Sequence, residues 1–155
     1  IFAGTLGVMQ SISMETQNNA LDGMLLVPIA RSAIYVGKVI SSTIFVTVIG
    51  AITLGAISIF LHSAPAITDL PAIFAVIFLF SLGFSAVAVV VSIIATFTSI
   101  SALLLPVLLV PLVVPALIAG VELMATGNTT WITMLVSYDG IMLTAGLLVF
   151  GELMR

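Results

Sequence analysis

The chain has 155 residues, 62% of them hydrophobic and 6% charged, with a formal net charge of −3 and a mean hydropathy of +1.44. Soluble domains carry about 25% charged residues, so a water-soluble fold is excluded, and three basic residues are too few for a nucleic-acid-binding surface. The absence of cysteine removes disulfides and thiolate metal sites but assigns no compartment.

Taken in chain order, the first apolar run, 1–8, turns polar well before the roughly 20 residues a spanning helix needs. Residues 1–14 therefore read as the end of a truncated helix, with its upstream half and a preceding span missing. The next stretch, 15–38, has no counterpart elsewhere in the sequence. Leu21, Met24, Leu25 and Pro28 recur at three-, four- and seven-residue spacing, the apolar stripe of a short surface helix. Asn18 or Asn19 can cap it, Asp22 in its first turn suits the helix dipole, and Pro28 restricts Val27 and ends it. About ten residues cannot cross a bilayer, so this helix is expected to lie along the cytoplasmic membrane face. There it either anchors its loop or offers a second side to another protein. Gly37-Lys38 does not make a phosphate loop: that motif needs a glycine five residues earlier and Ser or Thr afterwards, where Ser32 and Val39 stand. Lys38 is expected to snorkel to the headgroups, and Arg31 can pair with Glu15 or with lipid phosphate.

Four apolar runs are long enough to cross: 39–61, 71–95, 102–121 and about 134–150. The fold class is therefore all-α, a polytopic transmembrane helical bundle forming one domain over 1–155. Arg31 and Lys38 flank the first complete span and Arg155 follows the last, so the positive-inside rule places all three in the cytoplasm. Four crossings return the chain to the same side, which leaves 62–70 and 122–133 outside and 96–101 inside. His62 then sits at an outer helix end, either as a solvated loop residue or within reach of an iron. Asp69 and Glu122 mark outer helix ends as well. Within 71–95, Ser81, Ser85, Ala88 and Ser92 fall on one helical face and read as a packing seam, since close backbone approach drives helix association in lipid; a polar lining for a substrate is the alternative.

The run 102–121 carries Pro106, Pro111 and Pro115. Proline has no N–H and clashes with the carbonyl four residues back, so Pro111 frees the carbonyl of Val107 and Pro115 frees that of Pro111. Such broken backbone is tolerated in hydrocarbon where protein or a water-lined cavity satisfies it, so this helix is expected to face protein or a pathway rather than open lipid. In the outer loop, Asn128-Thr129-Thr130 forms a glycosylation sequon and Trp131 reads as an interfacial anchor. Asp139 is placed within the first turns of the last span. An intramembrane carboxyl is a functional candidate, but a helix-start role with Tyr138 near the outer surface is the preferred expectation. The seven methionines are scattered and read as core or lipid-facing residues.

Glu15, Ala20-Leu21-Asp22-Gly23-Met24-Leu25-Leu26-Val27-Pro28, Arg31 and Gly37-Lys38 together resemble the cytoplasmic coupling segment of ABC-2-type permeases. The run Leu103-Leu104-Leu105-Pro106-Val107-Leu108-Leu109-Val110-Pro111-Leu112-Val113-Val114-Pro115 is similar, more narrowly, to the haem exporter protein B (CcmB) family of cytochrome c maturation. The likeness extends from Phe2-Ala3-Gly4-Thr5 to the last helix. It implies a multi-pass plasma-membrane permease subunit, not itself an enzyme, working with a separate ATPase of the CcmA type and with haem-handling proteins of the CcmC, CcmD and CcmE types. It also implies a homodimer, ATP bound in the partner subunit, and haem as cargo of the complex, with no cofactor or metal assigned to this chain. Haem export, release of a haem-loaded chaperone without solute crossing, and export of a lipid or other amphiphile by an ABC-2 permease remain open as functions.

Overall fold

The computed structural model describes residues 4, 6, 7, 10, 14, 31–60, 69–98 and 104–153. The coupling segment with Glu15, Leu21, Asp22, Gly23, Met24, Leu25 and Pro28 lies outside these residues, as do His62 and Arg155. Four helices carry the fold: α1 Arg31–Phe60, α2 Leu70–Thr98, α3 Leu104–Thr126 and α4 Thr130–Leu153. Each is long and apolar enough to cross a membrane. At 1.5 Å per residue, a 20-residue span covers the roughly 30 Å of hydrocarbon, and the 30 residues of α1 exceed that, so α1 projects beyond it or tilts.

The helices alternate in direction, and α2 is the centre: it packs against α1, α3 and α4, while α4 also touches α1 and α3. Tyr35, Phe84, Val89, Leu109, Val113 and Leu135 are fully enclosed between them. The polarity of α1 is inverted relative to a soluble helix. Its inward face holds Tyr35, Val39, Ser42, Thr43 and Thr47, whereas Ile40, Ile44, Val48 and Ile52 face outward. Lipid explains this, because tails as apolar as isoleucine give no gain for burying it, and small hydroxylated residues let backbones approach. The same rule orders α2, where Ser81, Ser85, Ala88 and Ser92 are all buried. Thr43 and Ser81 donate to carbonyls four residues back, Val39 at 2.7 Å and Ile77 at 2.7 Å, so neither hydroxyl enters the interface unsatisfied. Near the N-terminus, Gly4 lies against Phe84 and Val46, and Gly7 against Phe45, which seats that part of the chain on α1 and α2.

Between α3 and α4 the chain turns within three residues. Gly127 has φ +63°, a left-handed conformation that glycine adopts without a Cβ penalty, and its N–H donates to the Leu123 carbonyl at 2.9 Å, closing α3 in the manner of an αL cap. Asn128 Oδ1 then accepts the N–H of Thr130 at 3.0 Å, starting α4. The sequon asparagine is thus a turn residue, and 130–133, placed in the outer loop by hydropathy, belongs to α4. The early start of α4 corrects the expectation for Asp139. It stands nine positions into the helix, two and a half turns, outside the first turn, and is buried. A helix-start role is ruled out for it, because the dipole's influence falls off within the first turn.

Candidate functional site

The short turn sets α3 and α4 side by side in fixed register, and two contacts follow from it. The first joins α4 to the proline helix. α3 continues through Pro111 and Pro115, burying Leu109, Val113, Ala116, Ala119 and Gly120 while both prolines face outward. Tyr138 of α4 donates its hydroxyl to the Leu112 carbonyl at 2.6 Å. Leu112 lies in the turn closed against Pro115, whose ring cannot donate and crowds the carbonyls beneath it. The Leu112 carbonyl is the neighbour of the Pro111 carbonyl, which Pro115 leaves without its helical donor, so the phenol fastens α4 to the turn that proline weakens. The expectation that α3 faces protein holds for one side only, since the proline side is uncovered in this chain.

The second contact is between α4 and α2. Gly83 has no room for a side chain: a Cβ there would collide with Asp139 Oδ1 and crowd the Tyr138 ring at 3.0 Å. Asp139 is 6% exposed, and its Oδ1 has no hydrogen-bond partner among the described residues. Seven positions further along both helices (83 to 90, 139 to 146), Val90 meets Gly146, where the Tyr35 hydroxyl of α1 also packs. α2 and α4 thus run parallel in register, with one glycine on each admitting a bulky polar neighbour. Tyr35 donates to the Ala86 carbonyl at 3.3 Å and its ring lies 5.8 Å from that of Phe150 at 44°, so α1 is fastened to both.

A cavity of about 470 Å³ opens at the Leu70 end of the bundle, between the start of α2, the end of α3 and the start of α4, and its lining reaches Leu79 and Leu135, one turn from Gly83 and Asp139. Val76 and the acidic Asp69 also line it, with Met124. Of the proposed site residues, Gly37 faces open space and Lys38 is half-buried within α1, seven positions from its start. They are far along the chain from Pro111 and Pro115, and no described contact brings the two groups together. Trp131 packs against the core cluster. Among the described residues, no group of three His, Asp or Glu side chains could hold a metal ion. Gly83 was not marked by sequence, although a glycine inside a span is a signal of close approach, and Tyr138 was marked only as a neighbour of Asp139 near the outer surface, because a tyrosine's partner carbonyl on another helix leaves no pattern.

The family model described as CcmB protein matches residues 1–151. The chain belongs to the CcmB family. No curated protein and no solved structure matches it. CcmB proteins are permease subunits of a haem-exporting ABC transporter of cytochrome c maturation, served by a CcmA ATPase and other Ccm components. With four membrane-spanning helices, this chain is a multi-pass plasma-membrane protein of that class.

Proposed function

We propose that this chain transmits ATP hydrolysis in a separate CcmA-type ATPase into a rearrangement of its membrane helices, driving haem export or release of the haem-loaded chaperone. The segment around Leu21 to Pro28 docks on the ATPase, and Arg31, Gly37 and Lys38 at the start of α1 carry its displacement into the bundle. Because ABC architecture needs two membrane halves, a second copy of this chain completes the pathway, and CcmC-, CcmD- and CcmE-type proteins supply and receive haem. Carrying this reading is the construction of α3, a spanning helix with prolines at 111 and 115, tied to α4 at its weakened turn by the Tyr138 to Leu112 hydrogen bond. A helix so built bends at a defined level while its buried face stays packed.

Replacing Pro111 and Pro115 together with alanine is expected to leave insertion intact and to reduce cytochrome c assembly. Full assembly in that variant, at normal protein levels, refutes a hinge in α3. Export of an amphiphile is a second reading, favoured by the apolar cavity between α2, α3 and α4. Haem or lipid accumulation in vesicles carrying the whole complex, set against ATP-dependent release of the chaperone, separates the three outcomes.

A further inference from the structure

Asp139 lies about 13 Å along α4 from Thr130 at 1.5 Å per residue, near the middle of a hydrocarbon layer roughly 30 Å thick. The groups around it offer no countercharge. α2 carries no ionisable side chain from Leu70 to Thr98. α1 brings Tyr35, whose hydroxyl is committed to the Ala86 carbonyl, and Lys38, one turn further on and engaged in its own contact. From α3 comes Glu122, ten positions beyond Leu112 toward the Leu70 end, and its sign is the same as that of an aspartate. On α4 itself the adjacent Tyr138 directs its hydroxyl hydrogen bond to the Leu112 carbonyl. Among the described residues no ion pair or hydrogen bond reaches Asp139 Oδ1. An isolated carboxylate is among the most costly groups to enclose away from water, and it neutralises or finds a partner. Ionisable residues retained inside a membrane mark ion and proton routes.

We propose that Asp139 is an intramembrane proton-binding site, holding a proton while α2 and α4 are closed on one another at Gly83. With Oδ1 enclosed against Gly83 and unpartnered among the described residues, the acid form occupies the closed seam. Separation of α4 from α2 exposes the carboxyl and lets the proton go, which links proton exchange to helix movement. The site requires neither a particular cargo nor the docking of the ATPase, so its test is independent of the proposed function.

The test is infrared spectroscopy of the full-length chain in its native complex, in lipid at neutral pH, where the carbonyl stretch of a protonated carboxylic acid stands apart from carboxylate and amide bands. Incorporation of aspartate labelled with carbon-13 at the carboxyl is expected to shift an acid band in the unsubstituted protein, and Asp139→Asn is expected to remove that band while Asp69→Asn keeps it. Gly83→Ala, which pushes on the carboxyl, is expected to shift or abolish it. Absence of an isotope-sensitive acid band in the unsubstituted complex overturns the proposal, and so does a band that persists in D139N or ignores G83A. The isotope measurement uses no variant, so a misfolded mutant cannot decide the matter.

Discussion

At Gly83 and Gly146 a side chain would collide with a polar group from another helix, whereas at Gly7 and Gly50 it would meet the apolar Phe45 and Ile77. Alanine at Gly83 is expected to cost about 1–3 kcal/mol, the usual range for overpacking, read as a lower midpoint of thermal unfolding in detergent. Because the collision is with Asp139 Oδ1, Asp139→Ala should relieve much of that loss, and the pair should be strongly non-additive; additive costs would mean the two side chains do not meet. Tyr138→Phe removes a hydroxyl whose only described partner is the Leu112 carbonyl. Polar contacts inside membranes are worth roughly 0.6–1.7 kcal/mol, so the variant should fold with a modest loss of stability and a larger loss of ATP-dependent activity. Equal activity would show that the bond holds the fold and not the hinge. Sequence marked Asp139 as unusual from its residue type and apolar surroundings. It could not place the carboxyl, because the start of α4 is set by the Gly127 and Asn128 turn rather than by hydropathy.

At the scale of the element, α3 and α2 show how a lipid-facing helix divides its sides without a polarity difference. On α3 every third or fourth residue from Leu109 to Ala119 is buried, and Val110, Val114 and Ile118 are not, although all are apolar. Ala116→Leu is therefore expected to destabilise by about 1–3 kcal/mol through overpacking, while Val114→Leu should be tolerated, measured as detergent-extracted monodisperse protein. The serine stripe of α2 was legible because small residues at helical spacing have a packing reason. Ser85 adds a further test: its hydroxyl is buried with no partner among the described residues, and such a group costs free energy. Ser85→Ala should accordingly be neutral or stabilising, whereas Ser85→Leu should disrupt the seam. A well-folded Ser85→Ala chain that loses transport would instead assign the stripe to substrate.

For the molecule as a whole, sidedness is open to direct measurement because residues 1–155 contain no cysteine. Single cysteines at Ser32, exposed near the start of α1, and at Asn128, exposed in the turn between α3 and α4, are expected to react with impermeant maleimide from opposite faces, Ser32 from the cytoplasm. Labelling of both from one face would break the alternating order of the helices. The sequence by itself determined the solvent, the number of complete spans and the family, because hydrocarbon selects long uninterrupted apolar runs and the proline-rich run of α3 is a local pattern. Only the tertiary structure decided which apolar face of each span turns inward, that Tyr138 reaches the weakened turn of α3, and that Asp139 is enclosed against Gly83. The physical reason is that apolar surfaces look alike to lipid. With no hydrophobic gain to separate inside from outside, the choice falls to the fit between helices distant in the chain, which no local spacing records.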